Sequence, residues 1–336
     1  MLEIDGSQKS GSGTILRLSI ALAGILEEPL HIFNIRHRRS KPGLRPQHLE
    51  SVNTVAKLCN AETEGAVLGS RELWFKPNGI VNGEVNAEIG TAGSIPMLLL
   101  TVLPICAYAK GDVRVHVVNG GTDVRHAPTI NYLNYVLLPM LERMGLKSSL
   151  TIKKFGYYPK GMGEVILNVS NSSKLKSLRL ENFGKIEEVG GISVCTFLEK
   201  QKVSARQAET AKNILKNIGY NPDIQVVNDK SNPHQKGSSL VLWVKTNTSL
   251  LKPSQSKVAI ILNAKDGFKP ALAEYQKIPQ AKNQVEQEEM EAIENALKRT
   301  RGIQIKAAEM LGISLRQLRY RIRKFHITVR KINLTE

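Results

Sequence analysis

Residues 10–22 read SGSGTILRLSIAL, a loop of small residues followed by the apolar spacing of an α-helix. The stretch comes after a short apolar start at residues 1–4, which predicts a β-strand. A loop of this kind leaves backbone N–H groups unpaired at the positive end of the helix dipole, so an anion can approach closely. The stretch therefore predicts a strand-loop-helix unit with an anion at Gly11 and Gly13, or else an ordinary capped helix.

A second loop of the same kind, GTAGSIP at residues 90–96, precedes an apolar helix predicted up to residue 109. The proline at the end of this loop suits an early helical position. We expect Thr91, Gly93 and Ser94 to bind an anion at this helix start, with an ordinary helix cap as the alternative.

Residues 36–48, RHRRSKPGLRPQH, place five permanent cations and two histidines in a loop that leads into a helix. Guanidinium groups bind phosphate oxygens in a two-pronged geometry, and a Pro-Gly turn can bring several of them to one point. A solvated basic loop is the alternative, but the two anion-binding patterns nearby favour a phosphate clamp. The candidates for this clamp are Arg38, Arg39, Lys41 and Arg45.

The composition indicates a soluble globular protein with a polyanionic partner. The chain has 336 residues, 41% hydrophobic content and a formal net charge of +17. This charge favours nucleic acid, although an anionic membrane surface fits the charge alone. No apolar run reaches the length of a membrane span and the start lacks the layout of a signal peptide, so we expect a cytoplasmic protein without a membrane partner. The three cysteines are far apart, which predicts neither a disulfide framework nor a metal site.

Strand and helix patterns alternate along residues 30–144 and indicate a loosely repeated α/β unit of about eighty residues. The predicted helices cover residues 45–59, 96–109 and 129–144. After residue 163 the pattern changes to strands and one amphipathic helix at 203–218, which is typical of a compact α+β module. The expected fold class is therefore α/β (α+β).

Six motifs follow one another along residues 1–262. They are DGSQ at 5–8 with the glycine loop and ILR at 15–17, the basic segment 36–49, IGTAGS at 89–94 with TVLP at 101–104, GGTD at 120–123, YYPKGMG at 157–163, and GSSLVLW at 237–243. In this order the motifs resemble the RNA 3'-terminal phosphate cyclase family. The resemblance implies a large domain of repeated βαβαββ units at 1–184 and a small α/β domain inserted at 185–262.

The resemblance also implies a chemistry. Members of that family use ATP to adenylate a histidine, pass the AMP to a terminal 3'-phosphate of RNA, and let the neighbouring 2'-hydroxyl displace it, with a divalent metal assisting. ATP, Mg²⁺ or Mn²⁺, and RNA with 3'-phosphate ends are thus the implied cofactors and partner. The resemblance places Arg17, Arg39 and Gln47 near the nucleotide and the RNA end, and Asp123 near the nucleotide or the metal.

Three departures from the family pattern bear on catalysis. Ser10 stands where the family's loop carries a glutamate, and Leu100 stands where its second helix carries a glutamine. The family's segment with the nucleophilic histidine has no counterpart, since after His234 the next histidine is His326, in a different context. Without a nucleophile the covalent AMP intermediate cannot form by the family route.

Two other histidines lie near the motifs. We expect His48 to be a helix-surface histidine bonded to backbone rather than a site residue. His126 is not expected to be a nucleophile, because Asp123 is the only carboxylate nearby in sequence that could orient it.

The last part of the chain is a second module. The polar stretch 263–285 predicts a linker, and helices are predicted at 286–298, 304–311 and 315–325. From Lys298 to Lys331 the sequence has eleven Lys or Arg and one acidic residue, a formal charge of +10. Such a segment is expected to bind DNA with steep salt dependence.

Residues 306–314, KAAEMLGIS, resemble the Fis-type DNA-binding domain found at the end of nitrogen-regulator-type activators. The resemblance implies an all-α helix-turn-helix domain at 286–336, whose last helix enters the major groove. A basic three-helix bundle that docks on its own body or on RNA is the alternative. Arg316 and Gln317 are expected at base edges, and the later Arg and Lys residues of the helix at phosphates. The expected DNA-binding residues are thus Ser314, Arg316, Gln317, Arg319, Tyr320 and Arg321.

Two functions therefore stay open. One is a cyclase, impaired because the family's nucleophilic histidine is absent. The other is a non-catalytic regulator that senses RNA ends or nucleotide and binds DNA through the helix-turn-helix. A homodimer would suit both, because Fis-type domains pair to read two half-sites and the missing end of the large domain should expose apolar surface.

Overall fold

The computed structural model describes residues 1–171, 175–178, 184–247, 256–262, 292–297, 299–300, 303–324 and 327. The chain forms two compact units, Met1–Lys269 and Pro270–Glu336. The finer division into four segments expected from the sequence stays a prediction. Among the helices that the structure describes, none is both long and apolar enough to cross a membrane.

The first sheet contains strands β1 (Leu2–Asp5), β2 (Leu30–Phe33), β3 (Glu62–Glu64) and β4 (Leu73–Lys76). Helices α1 (Gly13–Leu26) and α2 (Pro46–Leu58) connect its strands. The strand order is β1-β2-β4-β3, with β1 and β2 parallel and the other pairs antiparallel. Parallel neighbours require a crossover, and α1 supplies it.

The second sheet repeats this arrangement with strands β5 (Gly83–Glu88), β6 (Val113–Gly120), β7 (Ser148–Lys154) and β8 (Gly163–Val169). Its order, β5-β6-β8-β7, again has one parallel pair. The connecting helices are α3 (Ile95–Tyr108), α4 (Ile130–Tyr132) and α5 (Leu138–Arg143). The helix predicted at 129–144 differs in one respect, because a π-helical turn at Leu133–Leu137 joins α4 to α5.

A third sheet has the order β10-β9-β11-β12. Its strands are β9 (Lys185–Thr196), β10 (Asp223–Asp229), β11 (Gly237–Asn247) and β12 (Ser256–Leu262), and helix α6 (Val203–Asn217) precedes β10. The mixed α/β fold predicted from the sequence is confirmed.

The second unit has three described helices: α7 at 292–297, α8 (Gln304–Met310) and α9 (Leu315–Lys324). A small core of apolar side chains holds them together, formed by Ile293, Ala296, Leu297, Ala307, Ala308 and Leu318. The predicted linker at 263–285 and the start of the helix predicted from 286 lie outside the described residues.

Candidate phosphate-binding site

The start of α1 leaves backbone donors without a partner among the described residues. Ser12 caps the helix, and its Oγ accepts from the N–H of Thr14 at 3.4 Å. Among the described residues, the N–H groups of Gly13 and Ile15 have no acceptor. Arg38 covers the preceding loop, and its Nη1 donates to the carbonyl of Lys9 at 3.0 Å. The Arg38 side chain packs closely against Gly11, where a larger residue would crowd it. This start can therefore receive an anion.

Arg17 lies beneath this loop and is 8% exposed. Its Nη2 makes a long bond of 3.5 Å to the Oγ1 of Thr14, and no carboxylate of the described residues forms an ion pair with it. Burial, and then the nearby charge of Arg36, lower the pKa of Arg17 to about 10. A buried cation without a counter-ion is costly unless something else supplies the negative charge.

Arg36 is the central cation of the basic loop, and the sequence-based candidates for the clamp did not include it. Its Nη1 donates to the carbonyls of Lys41 and Gly43, each at 2.8 Å. Burial lowers the pKa of Arg36, and Arg45 and Arg39 lower it further, so the three guanidinium groups repel one another. Lys41 is exposed at the edge of the loop, and only its backbone contributes to this contact.

His48, on the first turn of α2, links the starts of α1 and α2. It is 4% exposed, its ring packs directly against Gly13, and its Nδ1 is buried without a partner among the described residues. Burial, followed by the charges of Arg17, Arg36 and Arg45, lowers the pKa of His48 to about 3. The expected surface position and backbone bond are wrong, and His48 is instead a neutral imidazole inside the cation cluster.

The loop before α3 forms an ordinary helix cap at Ser94, and its expected anion binding stays a prediction. The N–H of Ser94 donates to the Oε1 of Gln47 at 2.8 Å, the N–H of Ile95 to the carbonyl of Gly121 at 2.9 Å, and the N–H of Met97 to the Oγ of Ser94 at 3.2 Å. These donors are therefore satisfied within the protein. Gln47 thereby holds this loop against the start of α2, and its expected place near the nucleotide and the RNA end stays a prediction.

Gly93 and Thr91, the other two residues expected to bind an anion in this loop, lie in different environments. Gly93 lies against the side chain of Gln47. Thr91 is exposed and borders a separate open cavity of about 480 Å³, together with Lys160 and Met162. The three helix starts thus meet. Of the α1 and α3 starts, it is α1 that leaves backbone donors for an anion among the described residues, and the α2 start contributes the arginines of its preceding loop.

Asp123 lies on the loop beside Gly93, because the N–H of Gly121 donates to the carbonyl of Gly93 at 2.8 Å. The hydroxyl of Thr122 donates to the Oδ2 of Asp123 at 2.6 Å, whereas Oδ1 is buried without a hydrogen-bond partner. Burial raises the pKa of Asp123 to about 6, and the hydroxyls of Thr122 and Ser239 oppose this rise. The carboxylate is thus a candidate acceptor for a ligand hydroxyl.

The described residues contain no group of three or more His, Cys, Asp or Glu that could hold a metal ion. Mg²⁺ or Mn²⁺ therefore stays an expectation from the family resemblance. Ser10, at the position of the family's glutamate, donates its hydroxyl to Ser12 at 3.0 Å.

The second unit has its own polar surface. Ser314 and Gln317 cap α9 reciprocally: the N–H and Oγ of Ser314 donate to the Oε1 of Gln317, each at 2.9 Å, and the N–H of Gln317 donates to the Oγ of Ser314 at 3.3 Å. This is a capping box, so the Oε1 of Gln317 is engaged at the helix start. The expected contact of Gln317 with a base edge stays a prediction. Arg316 and Tyr320 are exposed, Arg321 is half-buried, and Arg319 donates to the Oε1 of Gln304 at 3.2 Å.

Comparison with known proteins identifies relatives of most of the chain. Residues 8–306 match the family model described as RNA 3'-terminal phosphate cyclase. Proteins named RNA 3'-terminal phosphate cyclase are similar to it: that of Ignicoccus hospitalis is 42% identical over 255 residues, covering 75% of this chain and 72% of the relative. The protein of Pyrococcus furiosus is 42% identical over 246 residues (73% and 71%), and that of Methanothermobacter thermautotrophicus is 41% identical over 250 residues (74% and 73%).

Proposed function

Because this chain belongs to the RNA 3'-terminal phosphate cyclase family, we propose that it binds RNA 3'-phosphate ends at the α1 and α2 helix starts, as a cytoplasmic protein. The observation that carries the proposal is the buried guanidinium of Arg17, which has no counter-ion among the described residues and lies beside free backbone donors. A terminal phosphate dianion would supply the missing negative charge. Arg36, Arg39 and Arg45 would add to the binding energy, because bringing the phosphate in relieves their mutual repulsion.

The reaction proposed for this site is the ATP-dependent conversion of the 3'-phosphate to a 2',3'-cyclic phosphate. When bound, ATP supplies an AMP group that turns a phosphate oxygen into part of a leaving group. The free backbone donors at the α1 start and the arginines would bind the negative charge of a polyphosphate. The Oδ1 of Asp123 would accept a hydrogen bond from a hydroxyl of the ligand. The protein residues would hold the phosphate and offset its charge.

The adenylation step is proposed to be impaired. His48 is the histidine that contacts the α1 start, and at 4% exposure its ring is covered by Gly13 and neighbouring groups. Its Nδ1 faces the protein interior, so it is not placed as an accessible nucleophile. No other nucleophilic histidine is indicated by the family motifs, which supports RNA-end binding with weak or absent turnover.

Binding and adenylation can be separated in one experiment. An RNA oligonucleotide with a 3'-phosphate is compared with the same oligonucleotide after phosphatase treatment, and the full chain is incubated with labelled ATP. We expect the 3'-phosphate RNA to bind about 10- to 150-fold more tightly, since a hydrogen bond to a charged group is worth about 1.5–3 kcal/mol. We expect no acid-labile protein–AMP adduct. Equal affinities would refute the site, whereas an adduct on a histidine would refute the impairment alone.

The exposed basic surface of α9 favours a second candidate function. We propose that the segment 286–336, joined by a linker at 263–285, is a Fis-type helix-turn-helix that binds DNA and makes the chain a regulator sensing RNA ends or nucleotide. The turn between α8 and α9 and the capping box at Ser314 support it. In a homodimer, two copies of α9 would contact two half-sites.

Replacing Arg316 with alanine tests this second function. Arg316 is exposed near the α9 start, so its loss should weaken binding to a selected DNA site by about 1–3 kcal/mol and relax specificity at one base position. Competition between the selected site and single-base variants measures this. Glu309→Ala on α8 is the control, and an unchanged base preference in Arg316→Ala would contradict the proposed helix orientation.

A further inference from the structure

Helix α1 exposes a line of leucines to the surface. Leu18, Leu22 and Leu26 are 55%, 54% and 61% exposed, and they follow one another at four-residue intervals. This spacing puts them in one ridge along the helix. Gly24, on the opposite face, lies against Cys59 of the α2 C-terminus and Ile105 of α3, so the leucine ridge points away from the protein's own core.

The surface around the ridge carries no charge within α1. The single charged residue of this 14-residue helix is Arg17, and its side chain is buried. The neighbouring helix α3 also has 14 residues and no charged one, and it exposes Pro104 and Tyr108. A solvated helix face normally carries charged or polar residues, and exposed apolar patches of this kind mark interaction sites.

We propose that this ridge is the contact between two copies of the chain. A ridge with four-residue spacing can pack against an identical ridge, with the side chains of one helix in the grooves of the other. Such a contact is related by a two-fold axis, so the same patch serves both copies. The exposed residues of α1 and α3 carry no charge, so bringing two ridges together buries no ion of these helices, even in a chain of net charge +17. The nearest exposed charges in sequence are those of Glu27 and Glu28, which follow Leu26.

The sequence that follows β12 is a poor alternative cover for the ridge. Residues 263–291 include ten charged residues and six Asn or Gln, and Leu272 is their only leucine. Burying such a segment on an apolar face would bury polar groups with it. A second copy offers three leucines at the matching spacing.

The size of the patch predicts a weak dimer. The exposed apolar side chains are Leu18, Leu22 and Leu26 on α1 and Pro104 and Tyr108 on α3, and together they offer on the order of 400 Å² per copy. The total of roughly 800 Å² is below the 1,200 Å² or more of stable interfaces, and it is in the range of transient ones. We therefore expect a monomer–dimer equilibrium that responds to protein concentration.

Sedimentation equilibrium of the full chain and of Leu22→Glu tests the proposal. The wild-type protein should shift from monomer to dimer as its concentration rises through the micromolar range, and Leu22→Glu should stay monomeric because a dimer would bury two like charges. Leu68→Glu is the matched control, since Leu68 is 58% exposed in a loop far from α1 in sequence. Circular dichroism melting of each variant checks that it is folded, as expected for a substitution at an exposed position.

A cysteine at the same position locates the interface. All three native cysteines are buried, so a Leu22→Cys variant should give a disulfide-linked dimer under mild oxidation and a Leu68→Cys variant should not. A wild-type chain that stays monomeric, or a dimer that survives Leu22→Glu, would overturn the proposal. The affinity for RNA 3'-phosphate is measured in parallel. Because Leu22 is outside the phosphate site, a Leu22→Glu variant that keeps this affinity separates the dimer proposal from the proposed RNA-end binding.

Discussion

Replacing Arg17 with methionine is expected to weaken the binding of an RNA 3'-phosphate by about 10- to 150-fold and to stabilise the unliganded protein. The loss of affinity follows because Arg17 is the buried cation next to the α1 start. The gain in stability follows because a guanidinium that is 8% exposed, without a counter-ion among the described residues, is replaced by an apolar side chain of similar length. If Arg17 served folding alone, replacing it with methionine would instead lower the stability of the unliganded protein.

Two measurements check this expectation: titration with 3'-phosphate RNA and thermal unfolding with and without inorganic phosphate. Phosphate should raise the melting temperature of the wild-type protein more than that of Arg17→Met, since a ligand stabilises the state that binds it. Arg114→Met is the control, because Arg114 is half-exposed on β6 and lies 3.7 Å from Glu84. A lower melting temperature of unliganded Arg17→Met, combined with unchanged RNA affinity, would show that Arg17 is structural.

The sequence predicted the parts of this site that depend on local chemistry. Small residues before an apolar helix predicted the α1 start, and the structure shows Ser12 as its cap with donors left free at Gly13 and Ile15. The density of cations predicted a phosphate clamp of Arg38, Arg39, Lys41 and Arg45, and the structure places Arg39 and Arg45 near Arg36, which was not among these candidates. The helices at 46–58 and 95–108 were predicted within one residue, since both have strong apolar periodicity and a proline at the start.

The parts that were missed depend on contacts between residues distant in sequence. The bond from Ser94 to Gln47 spans 47 positions and engages one of the α3 donors that the local pattern made available, and the bond from Ile95 to Gly121 engages another. His48 has an ordinary helical context, and its burial arises because Gly13 has no side chain to keep the ring away. In α9, the bond between Gln317 and Ser314 was not predicted, although the Ser-x-x-Gln spacing is itself a capping-box signal.

Adding one methyl group at Gly13 is expected to lower the free energy of unfolding by about 1–3 kcal/mol and to abolish selective binding of the 3'-phosphate. A Cβ at this position would overlap the imidazole of His48, which is itself buried and cannot turn into solvent. The backbone of Gly13 has no left-handed conformation that would disfavour alanine, and alanine is otherwise the better helix former. Any loss of stability therefore comes from the clash, and relieving it would displace the α2 start from the α1 start.

The Gly13→Ala, His48→Ala double variant identifies that clash as the cause. Removing the imidazole makes room for the new methyl group, so the double variant should be more stable than the sum of the two single effects predicts, by about 0.5–3 kcal/mol. Urea unfolding of all four proteins gives this coupling energy directly. If the two effects add, Gly13 and His48 are not in contact. In that case the α1 and α2 starts are not held together in this way, and the phosphate site loses the geometry on which its donors and arginines depend.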